Sequence, residues 1–282
     1  MEKGSRSSAV LDLQWLYDTY ALLCARPGLY RLNRAIFRLA LAGLGILNWR
    51  SATLQGERGL LKRLLPAAPH GAVVLDIGAN EGTYSDFVLT AAPHVRIHAF
   101  EPNPQVFARL SARLEPRGVH CWNFALGDVA GSAVLFDYSD REGTGHASLH
   151  AGIFQRIHKS AAQEHQVKVA RLDEFLSSSG ISEVFLLKID AEGSERQVLE
   201  GLGNALKCGA VRVDHVQLEF SDLSIFGRTF LEDLQSLLPG YRVYRILPRG
   251  ALIDITDERP LMREIFAFQN LLFSRSNVDE PL

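Results

Sequence analysis

The chain has 282 residues, 47% of them apolar and 22% charged, with 30 basic and 32 acidic side chains for a formal net charge of -2. That length suits one large α/β domain or two small ones. The near-neutral balance argues against a dedicated duplex-DNA binder, which carries a basic excess, so no nucleic-acid partner is expected.

Cys24, Cys121 and Cys208 are far apart and form no CxxC pair, which reads as buried thiols in a reducing compartment rather than a disulfide framework or zinc site. The first twenty residues lack an apolar core followed by a small-residue cleavage site. A cytoplasmic location is the expectation.

The amino-terminal stretch VLDLQWLYDTYALLCA carries an apolar face, Pro27-Gly28 breaks it, and LYRLNRAIFRLALAGLG resumes at helical spacing. Within it, Ile36 to Trp49 is the most lipid-like segment, but it is too short to span a bilayer and contains Arg38. A buried helix is the favoured reading. The alternatives are contact with a membrane surface through residues 35–49 or packing in an oligomer. A third helix, Gly56 to Leu65, aligns Leu60, Leu61, Leu64 and Leu65. Residues 1–69 are thus expected to form a helical cap on a domain covering 70–282.

From Gly71 the pattern changes. AVVLDIGAN is an apolar run ending in an acid and a glycine turn, as in a buried parallel strand. A helix over 84–91, a strand VRIHAFEPN, a helix over 104–115 and a third strand VHCWNFAL follow, the opening of a doubly wound sheet. VFLLKIDAEG and VRVDHVQLEF supply two more strands, with YRVYRILP, ALIDI and FAFQNLLFSRS closing the chain.

The turn VVLDIGANEGTYS is the strongest local signal for a ligand. The first strand delivers Asp76 at its carboxyl end, and Gly78 lets the backbone turn closely under a ligand. Asn80 occupies the place of the second glycine of GxGxxG, and no GxxxxGK[ST] is present. Glu101 ends the second strand, where an acid can accept both hydroxyls of a ribose. That ribose belongs to NAD and to S-adenosylmethionine alike. A pyrophosphate wants a bare helix terminus, whereas an aminoacyl sulfonium tolerates Asp76 and Asn80 and is favoured by nearby carboxylates.

DIGANEGTYS, AFEPNP, NFALGD and above all LLKIDAEGSERQVLEG resemble the FkbM family of S-adenosylmethionine-dependent methyltransferases, over about Glu57 to Phe273. The resemblance implies an α/β fold with a Rossmann-like seven-stranded class I methyltransferase sheet, here with an N-terminal helical extension. It implies O-methylation of a hydroxyl on a sugar or natural-product small molecule. By the same likeness Asp76, Gly78 and Asn80 line the methionine moiety, and Glu101 holds the ribose beside Pro102 and Asn103. Asn123, Phe124 and Ala125 approach the adenine, and Asp190 sits near the transferring methyl group.

Methyl transfer to a hydroxyl needs an aligned acceptor and a destination for its proton. Asp190 follows a buried strand directly, and Glu219 ends the next one, so both are expected to face the crevice as catalytic groups. Lys188 shares the alternation side of Asp190, while Glu195 and Glu200 also suit a helix surface. Asp190 and Glu219, helped by Glu192 or Asn80, could ligate a divalent cation such as Mg2+. The polar run Ser139 to Gln166 is the expected lid, and His146 and His150 within it are candidate proton acceptors. An NAD-dependent oxidoreductase is the competing reading, and a catalytically inactive relative that binds a partner is the third.

Overall fold

The computed structural model describes residues 14–138, 148–149, 162–276 and 278. The chain divides into two compact units, Met1–Leu44 and Gly45–Leu282. The first contains helices α1 (Gln14–Cys24) and α2 (Tyr30–Gly43), separated by a short turn that starts at Pro27. The second begins with α3 (Ala52–Gln55) and α4 (Glu57–Leu64). The boundary therefore falls at Leu44 instead of residue 69. The reason is packing: Leu60, Leu61 and Leu64 of α4 are buried in the same apolar cluster as Val74 and Ile97.

The lipid-like stretch Ile36 to Trp49 is not one buried helix. The helix stops at Gly43, and Ile36, Phe37 and Leu39 are exposed. Ile46 is wholly buried, and the Leu47 N–H donates to Phe268 O at 2.8 Å.

Strands β1 (Val73–Ile77) and β2 (Arg96–Phe100) are joined by α5 (Thr83–Ala91). Then come α6 (Pro104–Leu114), β3 (His120–Trp122), β4 (Ala125–Gly127) and β5 (Gly131–Tyr138). They are followed by β6 (Ala162–Arg171), α7 (Leu172–Ser178), β7 (Glu183–Ile189), α8 (Glu195–Lys207) and β8 (Arg212–Phe220). The remaining elements are α9 (Leu231–Leu237), β9 (Arg242–Ile246), β10 (Leu252–Asp254), α10 (Pro260–Arg263) and β11 (Gln269–Ser274).

The main sheet has the order β10-β9-β11-β8-β7-β1-β2-β3. It is parallel from β8 through β3 and antiparallel where β11 joins β8 and β9. This is the Rossmann-like seven-stranded sheet of the resemblance, with the three-residue β10 added as an eighth, edge strand. A second sheet, β4-β6-β5, lies apart from it in the pairing. The single third strand expected over VHCWNFAL is thus two strands in two sheets, because the chain leaves the main sheet after Trp122. The start of β6 also takes residues 162–166 out of the expected lid and into a ten-residue strand.

Strand alternation sends Val73, Leu75 and Ile77 into one apolar cluster with α7, α8 and α9, while Val74 enters the other with α4, α5 and α6. Both faces of the parallel strands are therefore covered, which explains their continuous apolar sequences. The second sheet is anchored closely: a Cβ on Gly201 of α8 would lie 2.1 Å from the carbonyl oxygen of Gly127. The first strand pairs β2 on one side and β7 on the other. The order in which strands are added to the sheet reverses there, so a crevice opens beyond the carboxyl ends of β1 and β7, the usual ligand position in such folds.

Candidate active site

A cavity of about 270 Å³ occupies that crevice. Its floor forms where two turns meet. The Asp190 N–H donates to Ile77 O at 3.0 Å, and the Gly78 and Ala79 N–H groups donate to Phe100 O at 3.0 and 2.9 Å. Gly78 has φ +74°, and a Cβ there would lie 1.8 Å from Asp190 O. Only glycine suits this position. Asn80 (φ 50°) and Glu192 (φ 47°) hold left-handed conformations without being glycine, one in each turn, a backbone cost that often marks ligand sites.

Glu101 ties the turn after β1 to its own loop after β2. Its Oε2 accepts the Asn80 N–H at 2.9 Å and its Oε1 accepts the Asn103 N–H at 2.8 Å. Burial raises its pKa to about 7, against the lowering effect of those two bonds. The side-chain Oδ1 of Asn80 is buried and has no hydrogen-bond partner among the described residues. A buried acceptor left this way wants a donor.

Beneath the cavity, Lys188 Nζ lies 3.4 Å from Asp76 Oδ1 and 3.2 Å from Asp190 Oδ2. The Ser85 hydroxyl donates to Asp76 Oδ2 at 2.7 Å. Desolvation pulls the Lys188 pKa down, but Asp190, Asp76 and Glu57 outweigh it and hold the ammonium above the ordinary lysine value. Alongside runs a polar chain in which Tyr84 Oη donates to Gln217 Oε1, and Gln217 Nε2 donates to Glu57 Oε1, each at 2.7 Å. Burial raises the Glu57 pKa.

Of the residues expected on the cofactor side, Gly78, Asn80, Glu101, Pro102, Phe124, Ala125 and Asp190 line the cavity. Three cofactor-side expectations need correction. Asp76 is completely buried and does not line it; its carboxylate serves Lys188 and Ser85 instead. Asn103 is also buried, capping α6 through the Gln105 N–H at 3.0 Å and donating to Asp137 at 2.9 Å. Asn123 is outside the lining and donates to the carbonyls of Glu101 and Pro102, so it braces the loop.

Glu219 does not line the cavity either. Desolvation first, then the charges of Asp190, Glu192, Glu195 and Glu57, raise its pKa well above the carboxylate range. His146 and His150 lie outside the described residues, as does most of the expected lid. Among the described residues no group of three or more His, Cys, Asp or Glu is placed to hold a metal ion. The expected Asp190–Glu219 cation site therefore has no ligand set there.

Glu57, Arg58, Tyr84 and Phe87 also line the cavity, and sequence reading did not single them out. The Arg58 guanidinium lies over the Phe87 ring at 5.5 Å. Glu57 and Arg58 lie far upstream of the glycine turn, in a stretch whose leucine spacing announces only a helix.

Among the described residues the wall carries five carboxylates (Glu57, Glu81, Glu101, Asp190 and Glu192) against two cations, Arg58 and Lys188. Such a wall repels a pyrophosphate and attracts a cationic ligand.

A family model described as "Methyltransferase FkbM domain" matches residues 76–246. The hexuronic acid methyltransferase AglP of Haloferax volcanii is 30% identical over 162 residues, 56% of this chain and 62% of that protein. The 2-O-methyltransferase NoeI of Sinorhizobium fredii is 27% identical over 197 residues, 65% of this chain and 77% of its own. The 31-O-demethyl-FK506 methyltransferase FkbM of Streptomyces tacrolimicus is 31% identical over 161 residues, 48% of this chain and 61% of its own. The matched region thus spans about three fifths of the first and third of these relatives. The family match covers the turn at Gly78, the Glu101 clasp and the Asp190 strand end together, and the chain belongs to the FkbM methyltransferase-domain family.

Proposed function

We propose that this protein is an S-adenosylmethionine-dependent methyltransferase that methylates a hydroxyl of a small molecule, a sugar or a natural product. The carrying observation is the acid-rich cavity at the sheet's switch point, with the orphaned Asn80 Oδ1 in its wall. That oxygen and the excess of carboxylates fit a ligand bearing an ammonium and a sulfonium. The same features oppose the NAD reading, because a dinucleotide brings two negative phosphates.

When bound, S-adenosylmethionine supplies an electrophilic methyl group. Asn80 would accept from its ammonium, and Glu101, whose oxygens each keep lone-pair capacity after one backbone bond, would accept from the ribose hydroxyls. Phe124, Ala125 and Leu126 provide an apolar wall. Asp190 is the acid at the cavity end of β7, with its side chain 37% exposed and one oxygen tied to Lys188. Its other oxygen would accept a hydrogen bond from the acceptor hydroxyl, orient it and take its proton as the new bond forms. Lys188 fixes the carboxylate's rotamer and balances its charge.

The relatives include a hexuronic acid methyltransferase and a 2-O-methyltransferase, which supports an oxygen acceptor. Calorimetry with S-adenosylmethionine, S-adenosylhomocysteine and NAD tests the cofactor assignment. Binding of both sulfur ligands is expected. Tight NAD binding with neither sulfur ligand bound would reject it. Methyl transfer to a panel of uronic acids and other polyols then tests the acceptor class.

A further inference from the structure

The first unit turns apolar side chains outward. No residue of α1 is buried, and Trp15, Tyr17 and Leu22 are 67%, 62% and 78% exposed. In α2 Leu41 alone is buried, while Leu32, Ile36 and Leu39 are exposed. Helical geometry puts those three on one stripe and Arg31, Arg34 and Arg38 on another. The two helices are joined through Asn33, which accepts from Tyr20 Oη at 2.7 Å and donates to Cys24 O at 2.8 Å.

The charge pattern names the occupant. Residues 19–43 contain Arg26, Arg31, Arg34 and Arg38 and no acid. None of the four forms an ion pair among the described residues. A second copy packed through the same face of residues 19–43 would bring like arginine stripes together with no acid in that stretch to offset them. Anionic phosphates complement them instead. Tryptophan and tyrosine favour the boundary between headgroups and acyl chains, and a helix with separate basic and apolar stripes lies in that plane. No described helix is long and apolar enough to cross a membrane.

We propose that residues 14–43 dock the protein onto an anionic phospholipid bilayer, with the α1 aromatics and the Leu32/Ile36/Leu39 stripe at the acyl boundary and the arginines among the phosphates. This does not depend on the methyltransferase reading.

The test is sedimentation of the full chain with vesicles of phosphatidylcholine alone or of phosphatidylcholine with phosphatidylglycerol. Binding to the anionic vesicles only, weakening as salt is raised, is expected. Each basic residue near an anionic leaflet contributes a factor of about five, so the combined variant Arg31→Glu, Arg34→Glu, Arg38→Glu should bind more than about tenfold more weakly. The pair Leu32→Asp, Leu39→Asp should also release the protein. Circular dichroism shows whether each variant stays folded, and the salt dependence of the unmodified chain needs no variant. Equal binding to both vesicle types, binding to neither, or an arginine variant that binds undiminished would overturn the proposal. A concentration-dependent dimer abolished by the leucine pair, with no vesicle binding, would assign the face to a second copy.

Discussion

The carbonyl oxygen of Asp190 occupies the space that a side chain on Gly78 would need, 1.8 Å from the position of its Cβ. The ends of β1 and β7 are in backbone contact, so the cofactor-side turn and the proposed catalytic strand end share one geometry. Gly78→Ala should disturb both. We expect lower thermal stability, by about 1–3 kcal/mol for the left-handed strain alone, together with at least about tenfold weaker S-adenosylmethionine binding. Gly180→Ala is the control, because Gly180 also has positive φ but nothing lies within 4 Å of its Cβ position. Calorimetry should show its ligand affinity unchanged.

Lys188 is the counter-ion of a completely buried Asp76. Lys188→Met removes the charge while keeping much of the stem. An uncompensated buried carboxylate costs about 3–5 kcal/mol, and urea unfolding should read a loss of that order. The double variant Lys188→Met, Asp76→Asn should recover part of it. A single variant as stable as the parent would show that the pair contributes nothing to folding.

Glu101 should make S-adenosylmethionine binding depend on pH. Hydroxyls donating to its carboxylate favour the ionised form, so S-adenosylmethionine should bind more tightly as pH rises through about 7. Binding below that pH should release a proton, visible as a buffer-dependent heat. Stability runs the other way. The folded pKa lies above the ordinary 4.5, so the folded state holds more protons than the unfolded one between 4.5 and about 7. The protonated group's contribution is full below 4.5 and is lost as pH rises through about 7. Glu195, also raised to about 7 by burial, adds in the same direction. Glu101→Gln should flatten the affinity profile, and an unchanged profile would remove Glu101 from ribose recognition.

Asp190→Asn keeps the shape of the site and removes the proposed proton acceptor. Positioned general bases contribute about 10²- to 10⁴-fold, so turnover at saturating cofactor should fall within that range. Calorimetry should find S-adenosylmethionine affinity within about threefold of the parent. Turnover equal to the parent's would place the base elsewhere.

The strand ends carrying Gly78, Glu101 and Asp190 were readable because apolar runs that stop at an acid or glycine announce buried parallel strands. Asp76 and Asn103 carry the same local signal yet point into the protein. Whether such a side chain meets the cavity depends on partners such as Ser85, Lys188 and Asp137, which only the folded chain brings together. The break between β3 and β4 was hidden because Asn123 and Phe124 are ordinary strand residues, and the departure is set by pairing with β6. Glu57 escaped notice for a related reason: its role depends on Gln217, on a strand much later in the chain.

The close seating of Gly201 against Gly127 has a consequence for the shape of the cavity. At its amino end, α8 holds the loop after Asp190, where Glu195 accepts the Ala191 and Gly193 N–H groups at 3.1 and 3.0 Å. Six residues later the same helix abuts the strand that supplies Ala125 and Leu126 to the cavity wall. About 9 Å of rigid helix therefore spaces the two attachment points. Bulk at Gly201 should move that strand relative to the Asp190 loop and reshape the cavity without touching a single lining side chain.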